Sequence, residues 1–179
     1  RNIHQASFRN NFCYRCLGGR QGYSQESIIW DGNQFEYIAD DPMAFLLAED
    51  IDSGTSKAIA VNNIVQHGRW DNDNGIEALG TLFKIDGGPW GPTMIDTVIV
   101  AHNFAEDLDF GIYVNSFNKF LAHDNIINVT NRSGMYIIYN GTEMNIHNNM
   151  IFNPNTQGGG AQGGIFMTFP TGGASGRTI

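Results

Sequence analysis

A chain of 179 residues with a formal net charge of −8 is long enough for one domain and too acidic to grip a nucleic-acid backbone. It has no apolar run long enough to span a membrane, and its first residues do not form a signal peptide. Its 22 glycines and many asparagines suit tight turns and disfavour long helices.

Residues 1–25 carry no decisive pattern and are expected to hold a further coil or a cap. The only cysteines, Cys13 and Cys16, form a lone CxxC. Buried or incidental cysteines are the first expectation, with a local disulfide, or metal or redox use, as alternatives. Ile28 and Trp30 precede Asn33 at offsets that recur later, and Pro42 to Phe45 follows, which reads as an irregular coil.

From residue 58 the frame is clear. Asn63, Asn103, Asn125 and Asn149 each have mostly apolar residues five and three positions earlier: Ala58/Ala60, Val98/Val100, Phe120/Ala122 and Met144/Ile146. The last two intervals are 22 and 24 residues, a period that signals stacked repeats. After each asparagine a second run begins with glycine and alternates with period two, at Gly75, Gly111, Gly134 and Gly164. This alternation puts Ile76/Ala78, Ile112/Val114, Met135/Ile137 and Ile165/Met167 on an inner face. Glu77, Tyr113, Tyr136 and Phe166 fall on the outer one.

The unit is a strand, a bend at asparagine, a short strand, a turn and a glycine-led strand. The intervals leave no room for a crossover helix. Stacked three-sided coils of about 22–24 residues satisfy the pattern, with asparagine taking positive φ at the bend and its amide pairing with the next asparagine. Residues 1–179 are then one domain, with an insertion at about 80–96 expected to protrude as a loop carrying Trp90. Stack ends expose strand edges, so a neighbouring β-helix segment or a homo-oligomer partner is expected.

VIVAHNF, FLAHDNI and MNIHNNM, with the glycine-led strands, resemble the right-handed parallel β-helix family of pectate lyases, polygalacturonases, alginate epimerases and phage tailspikes. The resemblance covers residues 58–168 and implies an all-β fold. It further implies a polysaccharide partner and an extracellular, cell-surface or virion-surface location. The polygalacturonase NTD, GHG and RIK segments are absent, as are the arginine-rich strand of pectate lyases and the DPHD-type motif of alginate epimerases. A fold is implied more specifically than a reaction.

Several residues are candidates for chemistry. Tyr113, Tyr136, Phe166 and Trp90 offer rings for the C–H faces of sugars, with packing under a loop or partner as the plain alternative. Asp71, Asp73, Glu77, Asp107 and Asp109 lie in or beside turns. A convergent pair could perform acid/base hydrolysis or hold calcium, and solvated turns need neither. His67, Arg69 and Lys84 are the set for proton abstraction beside a uronate carboxylate, as in a lyase or epimerase. His123 and His147 share a frame position and are expected to stack, whereas His102 sits in a different one. Three N-x-S/T sequons start at Asn128, Asn131 and Asn140. Processing of an extracellular polysaccharide by hydrolysis, lyase or epimerase chemistry is the leading expectation. A noncatalytic glycan-binding or structural scaffold, as in a tailspike or adhesin, is the alternative.

Overall fold

The computed structural model describes residues 3–15, 25–37, 44–46, 57–67, 69–72, 76–79, 81–86, 95–108, 110–115, 117–130, 132–138, 141–154 and 163–168. The chain makes repeated circuits through three parallel sheets. The first circuit holds β1 (Ile3–Arg9) and β2 (Phe12–Tyr14), and the second β3 (Gln25–Asp31), β4 (Gln34–Glu36) and β5 (Ala44–Leu46). The third has β6 (Lys57–Val61) and β7 (Ile64–Gln66), then a hairpin of β8 (Arg69–Asn72) and β9 (Ile76–Leu79), then β10 (Thr81–Asp86). The fourth is β11 (Ile95–Ala101), β12 (Phe104–Leu108) and β13 (Phe110–Asn115). The fifth is β14 (Phe117–His123), β15 (Ile126–Thr130) and β16 (Met135–Ile138), and the sixth β17 (Glu143–His147), β18 (Met150–Phe152) and β19 (Ile165–Thr168).

The first sheet is ordered β1-β3-β6-β11-β14-β17, the second β2-β4-β7-β12-β15-β18 and the third β5-β10-β13-β16-β19. Each strand thus pairs with its equivalent in the neighbouring circuit. Period-two alternation fills the space between the sheets. Ile28, Ala58, Ala60, Val98, Val100 and Ala122 from the first sheet are fully buried, as are Val65, Ala105 and Ile127 from the second. Phe83, Ile112, Val114, Met135 and Ile137 complete this core from the third sheet. Trp30 meets Phe83 edge to face at 5.5 Å, joining the first and third sheets through one aromatic contact.

Between the first and second sheets runs a ladder of asparagines at 11, 33, 63, 103, 125 and 149. From Asn33 onward, the Oδ1 of each accepts both the backbone N–H and the Nδ2 of the asparagine before it, for example Asn63 to Asn103 at 2.9 and 3.0 Å. The same pair of bonds joins Asn11 to Asn33, Asn33 to Asn63, Asn103 to Asn125 and Asn125 to Asn149. The second Nδ2 proton returns to the preceding circuit, from Asn33 to the Phe8 carbonyl and from Asn63, Asn103, Asn125 and Asn149 to the Trp30, Ala60, Val100 and Ala122 carbonyls. Asn33, Asn63, Asn103 and Asn125 are buried polar residues, and this pairing answers the cost of burying an amide.

Three expectations are corrected and one open alternative is resolved. Positive φ belongs to the residue before the ladder asparagine: Asn10, Gly32, Asn62, His102, Asp124 and Asn148. The asparagine side chain is thereby free to face inward while its neighbour absorbs the left-handed turn. Second, of the coil or cap expected within residues 1–25, residues 3–14 form the coil, with Asn11 on the ladder. Third, Ile76–Leu79 does not join the third sheet; it pairs antiparallel with Arg69–Asn72. The segment Thr81–Asp86, expected within the protruding loop at 80–96, supplies that sheet strand instead, with Lys84 opposite Tyr113. Fourth, Cys13 is disulfide-bonded, not incidental. Cys16, the other cysteine of the sequence, lies outside the described residues.

The glycine that opens strands of the third sheet has a steric cause. A Cβ on Gly111 would lie 2.3 Å from the Gly134 carbonyl oxygen and 2.7 Å from Ile127 Cγ2. On Gly134 it would lie 2.5 Å from Ile151 Cγ2. Successive circuits approach too closely there for any side chain. The Ile112 N–H donates to the Gly134 carbonyl at 2.9 Å, and the Met135 N–H to that of Gly164 at the same distance.

Candidate functional site

The outer face of the third sheet carries the row Tyr113, Tyr136 and Phe166, which are direct register partners on β13, β16 and β19. Their inward neighbours Ile112, Val114, Met135 and Ile137 are buried, so alternation turns the rings outward, where they are half-buried. Tyr113 and Tyr136 are parallel within 1° with centroids 5.5 Å apart, and Phe166 continues the stack at 5.2 Å from Tyr136. Phe110 meets Tyr113 edge-on at 6.0 Å and Tyr136 at 5.6 Å. The guanidinium of Arg132 lies 5.2 Å from the Phe110 ring centroid. The result is a flat aromatic strip with a cation at one side. Phe110 and Arg132 were absent from the sequence-based set. Phe110 shares the inward phase of Ile112 and Val114, so alternation gave no signal for it, and its edge-on contact with Tyr136 depends on the next circuit.

Lys84 takes the position on this row that had been expected for Glu77, through its register with Tyr113. Glu77 instead pairs with Asp71 across the β8–β9 hairpin, which also contains Arg69. Asp73, Asp109 and Trp90 lie outside the described residues. Asp107 is half-buried on β12 with φ 58°, beside the turn leading into β13.

His67 also has positive φ, at 53°, and is exposed. Its ring stacks on Tyr37 at 4.6 Å, and Tyr37 meets Tyr14 edge-on at 5.4 Å. Positive φ recurs four residues after ladder asparagines, at Arg15, Tyr37, His67, Asp107 and Asn153, so His67 and Asp107 are equivalent turn positions of adjacent circuits. The acid expected to lie near the hydrolytic centre and the base expected for the lyase are therefore both residues at one repeated bend.

The histidines are closer than their frames suggested. His123 and His147 stack within 3° at 5.0 Å, as the shared frame position implied, and His102 meets His123 edge-on at 5.0 Å. Asp124 lies 2.7 Å from His123 Nδ1 and 4.0 Å from His102 Nδ1. The hydrogen bond from His123 holds its carboxyl below the usual carboxylate value, with burial opposing and Asn148 assisting.

A shallow depression of about 210 Å³ marks the outer face of the first sheet, bordered by Thr97, Ile99, Lys119, Leu121, Glu143 and Asn145. The Lys119–Glu143 pair, at 3.9 Å and largely exposed, crosses it. No helix among the described residues is long and apolar enough to cross a membrane. Compared with protein-family models, curated proteins and solved structures, the chain matches none.

Proposed function

We propose that the chain is a right-handed parallel β-helix that holds an extracellular polysaccharide along the outer face of its third sheet. The handedness rests on the strong preference of parallel crossover connections for that hand. The ladder intervals of 22 and 24 residues between Asn103, Asn125 and Asn149 support the coil length, with the longer spans of 30 and 40 residues carrying the excursions.

The carrying observation is the stack of Tyr113, Tyr136 and Phe166. Rings stacked at about one strand spacing present a row of half-exposed apolar edges on which successive sugar C–H groups can pack. Arg132 over Phe110 adds a cation, which suits an acidic polysaccharide. Disulfide-bonded Cys13 fits an oxidising compartment such as the cell exterior or a virion surface.

Processing of the bound glycan is the second reading, and the register of Lys84 with Tyr113 favours its lyase or epimerase form. A lysine in backbone register with that row would suit the role of base or of countercharge to a uronate carboxylate. For the hydrolytic form, Asp71 and Glu77 are register partners on the hairpin and Asp107 lies on the second sheet. Calcium would offer the lyase a countercharge.

The test is retention on a panel of neutral and acidic polysaccharides, comparing the native chain with Tyr136→Ala. Binding that is lost in the variant, with the circular dichroism of the native chain kept, is the expected result. Equal retention of every glycan by both proteins would sink the proposal. Appearance of unsaturated uronate or new reducing ends would favour processing over binding alone.

A further inference from the structure

The ladder places a three-residue cluster on the surface bend between the first and second sheets, away from the aromatic row. His102 and Asp124 occupy the same left-handed position in adjacent circuits, each immediately before its ladder asparagine. The His102 N–H donates to the His123 carbonyl at 3.2 Å, so the two bends are tied at the backbone. His123 precedes Asp124 at the end of β14. Elsewhere on this column the left-handed position is Asn10, Gly32, Asn62 or Asn148. Only at His102 and Asp124 do two strong ligand types meet on adjacent rungs.

We infer that His102, His123 and Asp124 form a binding site for a divalent transition-metal ion of the zinc class, with one nitrogen from each imidazole, one carboxylate oxygen, and solvent completing the shell. Candidate donor atoms of all three lie within 4.8 Å of one another. In a tetrahedral zinc site with metal–ligand bonds of about 2.0–2.2 Å, donors stand roughly 3.3–3.6 Å apart. The measured separations from Asp124 Oδ2, 2.7 Å to His123 Nδ1 and 4.0 Å to His102 Nδ1, bracket that value. Donor separations on that scale put all three side chains within reach of one ion.

The surroundings suit the task. His102 and Asp124 side chains are 54% and 38% exposed, which admits an ion and its waters. His123 is only 21% exposed and its ring is held against His147 in a parallel stack, so one ligand is already oriented. The Asn148 side chain hydrogen-bonds Asp124 and acts as an outer-shell partner for the carboxylate. Two imidazoles with a single carboxylate favour zinc, copper or nickel over calcium, which seeks six or more oxygens.

The column also supplies the variants. Asparagine is native at the left-handed position in neighbouring circuits, so His102→Asn and Asp124→Asn keep a residue that accepts the bend. Tag-free, chelator-treated protein would be titrated with Zn²⁺ by calorimetry and with Co²⁺ by visible absorption. In parallel, imidazole ¹⁵N spectra would be followed. The expected result is one ion per chain, loss of at least about tenfold in affinity in each variant, and selective shifts of His102 and His123. His67→Asn, at the opposite end of the second-sheet strand from this bend, should bind as the native chain does, and excess Ca²⁺ should not compete. Absence of zinc binding, or equal binding by both variants, would overturn the assignment. If either variant fails to fold, shifts confined to other histidines in the native chain would overturn it as well.

Discussion

Asn103 and Asn125 are joined twice, because Asn125 Oδ1 accepts the Asn103 backbone N–H at 3.1 Å and its Nδ2 at 2.9 Å. One oxygen thus satisfies a main-chain and a side-chain donor of the adjacent circuit. Asn125 Nδ2 meanwhile donates to the Val100 carbonyl at 2.8 Å. The residue is fully buried.

Replacing Asn125 with Leu strips partners from the Asn103 N–H, the Asn103 amide and the Val100 carbonyl. Each buried group left unpaired costs about 1–3 kcal/mol. Urea unfolding should therefore show a loss of at least that size, and a smaller one for Asn149→Leu, whose site is half-buried. An unchanged unfolding free energy for the Asn125 variant would remove the ladder from the list of stabilising features.

Gly134→Ala is expected to destabilise by about 1–3 kcal/mol, the usual range for overpacking. The added methyl would press on Ile151 Cγ2 and on the Gly164 carbonyl at 2.5 and 2.9 Å. Gly163→Ala is the matched comparison, since nothing lies within 4 Å of its Cβ position, and its midpoint should barely move.

Asn62 has φ 58° and an exposed side chain bonded to Asp31 Oδ1 at 3.1 Å. Asn62→Ile should cost about 1–2 kcal/mol, because a β-branched residue resists the left-handed region. Asn62→Gly should stay close to native in thermal melting, which separates backbone strain from the loss of one exposed hydrogen bond.

Arg132→Gln removes the cation beside Phe110 while leaving the stacked rings of Tyr113, Tyr136 and Phe166 in place. Acidic glycans should bind several-fold more weakly to this variant, and their binding should lose part of its dependence on salt. Neutral glycans should be held as before. Equal weakening of both classes would place the effect in Phe110 packing rather than in charge.

The ladder was legible from Asn33 onward because a buried bend demands the same neighbours every time: apolar residues five and three positions earlier point into the core. Ala6 and Phe8 stand in that relation to Asn11, so the first circuit obeys the same rule. The strip of Tyr113, Tyr136 and Phe166 followed from alternation alone. The hairpin did not. Gly75-Ile-Glu-Ala-Leu has the local pattern of a third-sheet strand, and so does Thr81–Asp86; choosing between them required knowing which one meets Tyr113.

By itself the sequence determined the parallel pairing and its asparagine seam, since both recur in one local frame that each circuit repeats. Only the tertiary structure decided that Lys84 joins the aromatic row, that Asp71 and Glu77 leave it, and that His102 turns towards His123 and Asp124. Those relations arise between circuits, where the backbone register and the left-handed bend set which side chains meet. Spacing along the chain carries no record of that choice.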